Sequence, residues 1–387
     1  MRQEKVREIA ELRGMAGAII WSRGGGSIDM AADVLYLTNH YSQQPYIGDE
    51  AGIWSGRSHA ALLLPVGGPS VLCVDLDWWR RDLVVADDVK SSTDLPLAVA
   101  DAIRELHLSR SSLALVGMSS MSAAAYTRFR DALPKVVFER DDFLVEGLRI
   151  FKSSAERAVI RHAAAVGSRA VDAIVNGVVE GTTEAEAVAA GAGLLAEEGA
   201  VLWDAPCASG PFSHSFAHAR LPSYDAVRRL VRGDLFHVDC YGAWGGYCFD
   251  IARSRVVGDE PRDDQLALIE TAIAAVEAIC NAVRPGVTGG MMHEVAREAF
   301  ATSKNAMRVR ASGDQLAIPR LVGHGVGLRF ESPWLVDGSP DRLEAGMHLS
   351  VEVLVGNKTV GGAMYEEQGL VTDDGLEIIS TARKRWW

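Results

Sequence analysis

The stretch GDLFHVDCYGAWGGYCFDIARS, residues 233–254, holds two aspartates on either side of a Trp-Gly-Gly segment. The runs LFHVDCY and YCFDIAR alternate as strands do, and adjacent glycines suit a tight hairpin turn. A turn centred between Trp244 and Gly245 sets Asp239 directly opposite Asp250, with Cβ atoms roughly 4.5–5.5 Å apart. Two carboxylates so placed repel each other. A cation must lie between them, or one must hold a proton. Cys240 and Cys248 fall one step from register in this hairpin and read as small buried residues rather than a disulfide.

A second hairpin repeats the logic. In HLSVEVLVGNKTVGGAMYEEQGLVT, residues 348–372, a loop centred on Thr359 sets Glu352 opposite Glu366. Between the hairpins, GHGVGLRFESPW (323–334) places His324 among glycines, which permit close backbone approach. Two Asp, two Glu and one His supply four negative charges and one neutral nitrogen. Such a set suits two divalent cations with bridging carboxylates, and manganese, iron, cobalt or zinc better than calcium. Metal-assisted hydrolysis is the reaction class this chemistry supports.

The rest of the chain frames these hairpins. Its 387 residues suffice for two domains. Over 1–148, AGAIIW, VLYLT, HAALLLP, SVLCVD and LALVGM read as strands, and LPLAVADAIRELHL and SAAAYTRFRDAL as helices, giving a small α/β domain. RGGG in this region reads as a loop without the lysine pattern of a phosphate-binding motif. Over 149–387 the texture becomes α+β. An alanine-rich helical region from 154 to about 200 carries a capping box at Thr183 and Glu186. DDQLALIETAIAAVEAICNAV is a long helix stopped at Pro285, and another begins near TGGMMHEVAREAFA.

A net charge of −12 argues against nucleic-acid and acidic-membrane partners. No run of some 18 apolar residues is found, and the amino terminus MRQEKVREIAELRG is a charged amphipathic helix rather than a signal peptide. Five cysteines without a CxxC pair indicate a reducing, cytoplasmic setting.

These motifs resemble the creatinase/methionine aminopeptidase/prolidase family, whose catalytic domain has the pita-bread fold. The ordered ligand set of that family, Asp, Asp, His, Glu, Glu, matches Asp239, Asp250, His324, Glu352 and Glu366. LEAGMHLSVE and EEQGLVTDDGLEIIS match around the glutamates, and LRIFKSSAERAVIRHAA with the preceding domain resembles the prolidase and creatinase branch. CASGPFSHSFAHARLPS resembles the segment carrying a substrate-contacting histidine, which falls on His218, with His214 and Arg220 nearby. The resemblance implies two divalent metal ions, a small-molecule or short peptide substrate, a homodimer, and a proton shuttle at Glu366.

Two positions depart from the family's peptidases. Their second histidine, seven residues after the ligand histidine, corresponds to Glu331 here, following Phe330. The arginine that prolidases and aminopeptidase P place two residues before the last ligand is Met364. An ionised carboxylate donates no hydrogen bond and a thioether cannot replace a guanidinium fork. The expectation is therefore a dinuclear-metal hydrolase of a small amide substrate that is a poor Xaa-Pro dipeptidase, with Glu331 contacting substrate and Arg329 the nearest arginine in sequence to stand in for the missing one. The alternatives are a lyase like the metal-dependent dimethylsulfoniopropionate lyases of the family, with Glu331 or a neighbour as base, an ordinary Xaa-Pro dipeptidase, and a non-catalytic binding module.

Overall fold

The apolar runs of the first part of the chain zip into one mixed sheet. The computed structural model describes residues 1–24, 30–217, 221–258, 260–306 and 319–386. They form two compact units, Met1–Arg149 and Ile150–Trp387.

In the first unit the strands are β1 (Gly17–Arg23), β2 (His59–Pro65), β3 (Val71–Val74), β4 (Asp88–Ser91), β5 (Ser112–Val116) and β6 (Val137–Arg140), in spatial order β4-β3-β2-β1-β5-β6. The helices are α1 (Arg2–Leu12), α2 (Ala32–Thr38), α3 (Leu95–Glu105), α4 (Ala123–Ala132) and α5 (Phe143–Arg149). Asp94 and Ser122 cap α3 and α4 by accepting the amides of Leu97 and Ala125. Ile19, Trp21, Leu63, Val99 and Phe129 share one buried core. VLYLT, expected as a strand, lies in α2. Nearly every residue of that helix is buried, including Asp33, which is paired with Arg149 at 2.8 Å. An apolar run buried on all sides loses the periodicity that separates strand from helix.

The second unit opens with two antiparallel helices, α6 (Ser154–Asn176) and α7 (Glu184–Glu197), each started by a reciprocal capping box, at Ser153/Glu156 and Thr183/Glu186. Strands β7 (Val201–Asp204), β8 (Cys207–Ser209), β9 (Leu235–Trp244) and β10 (Tyr247–Val256) form one sheet. After helices α8 (Asp263–Ala282) and α9 (Gly289–Thr302), strands β11 (Leu321–Val326), β12 (Phe330–Val336), β13 (His348–Asn357), β14 (Gly361–Val371) and β15 (Leu376–Ile378) form a second sheet in the order β12-β11-β13-β14-β15. Helix α8 is long and apolar enough to cross a membrane by composition alone, despite its glutamates. It instead buries Leu268, Ile269, Ile273, Val276 and Ile279 against Val351, Val353 and Val355 of β13. Helices α6 and α7 bury Val166, Ile174 and Leu195 with Phe236, Val238 and Phe249 of the other sheet. Each sheet thus has helices on one side, and its opposite face is left for the site.

The two hairpins differ in how they meet expectation. Glu352 is paired with Glu366, as the loop centre at Thr359 requires. In β9–β10 the turn is Gly245-Gly246, with φ of 58° and 86°, and Trp244 pairs with Tyr247. Centring the turn one residue earlier would force Trp244 to positive φ, which a bulky side chain resists. Asp239 therefore opposes Ala252 and Asp250 opposes Tyr241, so the aspartates are diagonal neighbours on one face rather than a direct pair. Cys240 and Cys248 likewise face Ile251 and Ala243, and all five cysteines are free thiols.

Candidate metal centre

Side chains at alternate positions of a strand share a face, and the two sheets bring their ligand-bearing faces together. Side-chain hydrogen bonds fasten β10 to the second sheet. Ser254 Oγ lies 2.9 Å from the Met364 carbonyl oxygen and accepts its amide at 2.8 Å, and the guanidinium of Arg253 donates to the carbonyl of Glu366. Ser350 Oγ lies 3.1 Å from the Asp250 carbonyl oxygen. Gly323, at φ 145°, lets β11 approach β13 where a Cβ would strike the Ser350 carbonyl, and a Cβ at Gly325 would strike that of Ser332. His324 is thereby set beside Ser350, its pairing partner.

All five residues converge. Asp250, His324 and Glu366 each offer a ligand atom within 4.8 Å of the others. His324 Nε2 is 3.4 Å from Asp250 Oδ2 and 3.8 Å from Glu352 Oε1. Asp239 lies within hydrogen-bonding reach of both Asp250 and Glu366. Asp239, Asp250, His324 and Glu366 are buried, and Glu352 is the most accessible member.

The donor atoms are aimed inward. His324 Nδ1 is 3.0 Å from the Gly325 carbonyl oxygen, which can only accept, so Nδ1 is the donor there and Nε2 is the nitrogen that faces carboxylate oxygens. Asp239 Oδ1 and Glu366 Oε2 are buried with no hydrogen-bond donor among the described residues. Burial pushes the Asp239 carboxyl up to about 6, and burial with the charge of Asp239 pushes Glu352 up to about 7. Glu366 is raised well above the ordinary range by burial and then by Asp250, Asp239 and Glu352. Lone pairs facing lone pairs in a buried site are stable only with protons or cations between them. The mixed imidazole and carboxylate set fits transition-metal dications.

Other expected site residues are placed differently. Glu331 is fully buried and paired with Lys152, whose ammonium also donates to the Ile150 carbonyl at 3.1 Å. Its carboxylate is thus engaged in a buried ion pair, where it was expected to contact substrate or act as base. Phe330 instead lies against His324, its ring centroid 4.6 Å from the imidazole. Arg329 is half-buried in the turn before β12, its carbonyl accepting the Gly327 amide at 2.9 Å. Met364 shares the face of Glu366 but is buried. His214 is half-buried, its Nδ1 3.1 Å from the Pro211 carbonyl oxygen. His218 and Arg220 lie outside the described residues. Ser350, 2.7 Å from Glu366 Oε1, was not among the expected residues. Its place two residues before Glu352, on the same strand face, was the available signal.

The model of metallopeptidase family M24 matches residues 158–373, more than half of the chain. The chain belongs to this family. It is 27% identical over 287 residues to the Xaa-Pro dipeptidase of Pyrococcus furiosus, spanning 73% of this chain and 78% of that one. The prolidase of Pyrococcus horikoshii OT3 superposes with a TM-score of 0.79 at 21% identity, over 99% of this chain and 98% of that chain. Dipeptidase PepE from Mycobacterium ulcerans gives 0.76 at 27% identity, over 99% and 96%. The M24 member described here is a metal-dependent hydrolase with the pita-bread fold.

Proposed function

We propose that Asp239, Asp250, His324, Glu352 and Glu366 hold two divalent cations and that the protein hydrolyses an amide C–N bond in a small peptide-like or N-acylated substrate. The observation that carries this reading is the convergence of Asp250, Glu352 and Glu366 on His324, with Asp239 beside Asp250 and Glu366. Bound cations would supply Lewis acidity toward the amide carbonyl and the attacking water. Glu366 is suited to move the proton: Oε1 is held by the Ser350 hydroxyl, and Oε2 is the oxygen open to take a proton from water and return it to the leaving amine. His218, by family resemblance, and His214 would contact substrate. Manganese, cobalt, zinc and iron all suit the donor set. A reducing cytoplasm agrees with the free thiols, and a homodimer follows from the family resemblance.

The reading further holds that Xaa-Pro dipeptides are poor substrates. Buried Met364 offers no fork for a carboxylate, and Phe330 beside His324 offers no hydrogen bond to the reacting carbonyl. Losing a charge-assisted bond forfeits roughly 1.5–3 kcal/mol, about one to two orders of magnitude in rate. Elimination chemistry loses support, because Glu331 is committed to Lys152. The test is a panel on metal-loaded protein that compares Ala-Pro and Gly-Pro with other dipeptides, their carboxamides and N-acetyl amino acids. Turnover of Ala-Pro at rates typical of efficient enzymes would refute the poor-prolidase reading. Incorporation of solvent oxygen into product identifies hydrolysis, and an alkene product would overturn it.

A further inference from the structure

Strand β12 alternates. Phe330, Ser332 and Trp334 lie on its more open face, while Glu331, Pro333 and Leu335 are buried beneath. Two open-face rings flank His324, Phe330 at 4.6 Å and Trp334 at 5.6 Å between centroids, tilted by 46° and 40°. Phe330 also meets the ring of Tyr241 edge-on at 5.8 Å, and Tyr241 is the strand partner of Asp250. A row of aromatic side chains thus runs from the strand of Asp250, past His324, to the far part of β12. It is not consumed by the core: Trp334 is 38% exposed and Phe330 half-buried. Nor does Glu331 give it charge, since that side chain points to the opposite face and is paired with Lys152.

We infer that Tyr241, Phe330 and Trp334 form a specificity wall that selects an apolar, branched or aromatic side chain on a residue flanking the scissile amide. The inference rests on the hydrolase reading above and names its substrate class. A leucine or phenylalanine side chain laid on these rings removes apolar surface from water and gains dispersion and ring–ring contact. A charged side chain there would be desolvated without a counter-charge from the wall. Discrimination of about tenfold or more against alanine is the scale that apolar pockets reach.

The experiment uses metal-loaded protein and the dipeptides Leu-Ala, Phe-Ala, Ala-Leu and Ala-Phe, with Ala-Ala, Lys-Ala and Ala-Glu as references, each also as its carboxamide. Calorimetric binding of phenylalanine, leucine, alanine and glutamate is the second readout. The expected result is kcat/KM at least about tenfold higher for one apolar pair than for the references, with the same order in binding. Trp334→Ala and Phe330→Leu should shrink that ratio to about threefold or less. Trp334 is exposed enough that its truncation leaves folding intact should the Phe330 variant fail. If the panel is cleaved with no apolar preference and the amino acids bind alike, the wall is overturned and the hydrolase reading stands. If nothing is cleaved yet phenylalanine binds more tightly than alanine in a Trp334-dependent way, the wall stands and the hydrolase reading falls.

Discussion

Lys152 and Glu331 form a buried ion pair, with Glu331 on the strand next to that of His324, and neither belongs to the converging ligand set. The ammonium has the Ile150 carbonyl as a second partner, and a Cβ at Gly327 would meet the carboxylate of Glu331, so the pair also packs under the turn that ends β11. Removing one member of a buried pair strands the other and costs about 3–5 kcal/mol, whereas replacing both with apolar groups is often neutral. Glu331→Gln should therefore lower the unfolding midpoint in denaturant, and Lys152→Met with Glu331→Leu should recover most of the loss. Full stability in Glu331→Gln would show that the pair anchors nothing. Asp250 is expected to behave in the opposite way. Its carboxylate faces His324 and lies within reach of Asp239, so Asp250→Ala removes one repelling charge from the metal-free fold. Metal content by elemental analysis should fall below two per chain and activity should vanish, while the melting temperature of the metal-free protein holds or rises. Retention of full metal and activity would make the aspartates a solvated pair rather than ligands.

Among the elements, strand β10 carries a fully buried guanidinium that ties it to the second sheet. Arg253 donates to the carbonyls of Ala252 at 2.9 Å, Ala382 at 3.0 Å and Arg383 at 3.0 Å, to Glu367 Oε1 at 3.0 Å, and to the carbonyl of Glu366. It joins the strand of Asp250 to the strand of Glu366 and to the carboxy-terminal tail, where Ala382 and Trp386 pack into the core of α6 and α7. Arg253→Met would take a donor from several buried carbonyls and the counter-charge from Glu367, which keeps only the hydroxyls of Tyr365 and Ser380 as donors among the described residues. We expect a destabilisation of about 3–5 kcal/mol by denaturant titration and weaker metal retention during dialysis. Unchanged stability would mean that the serine contacts and apolar packing hold the two sheets without the guanidinium. The same elements show what was legible in the sequence. Strand periodicity and turn glycines exposed both hairpins, and the pairing of Glu352 with Glu366 followed from counting. Counting failed at Asp239 and Asp250 because either of two adjacent positions could centre the turn, and only the positive φ of Gly245 and Gly246 decides between them. It failed again at Glu331, where the alternation of β12 turns Phe330 toward His324 and Glu331 away. Arg253 and Lys152 were invisible for a different reason. Their partners lie more than a hundred residues away, and no local pattern marks a buried cation.

For the molecule as a whole, the acidic cluster links stability to pH and to metal. Burial holds Asp239 up to about 6, burial with the charge of Asp239 holds Glu352 up to about 7, and burial with the charges of Asp250, Asp239 and Glu352 holds Glu366 higher than the ordinary range. In the unfolded chain these groups titrate near 4. The metal-free fold therefore retains protons that the unfolded chain has released, and the sign follows from linkage. The stabilising contribution is complete below the unfolded values and is lost as pH rises through the folded ones. Chelator-treated protein should lose thermal stability between about pH 4.5 and pH 7.5. Cations take the place of those protons, so their binding releases protons and strengthens as pH rises. At a free metal concentration 100-fold above the dissociation constant the gain is about 2.7 kcal/mol. The difference in melting temperature between loaded and chelated protein should accordingly widen from the acidic to the neutral end of that range. Glu352→Gln, which removes one raised carboxyl, should flatten the pH dependence of the chelated form without reversing it. Scanning calorimetry of both forms across the range checks the scheme. A chelated protein whose stability climbs with pH, in both the parent and Glu352→Gln, would show that these carboxylates are ionised and separately solvated, and the convergence on His324 would then need another cause.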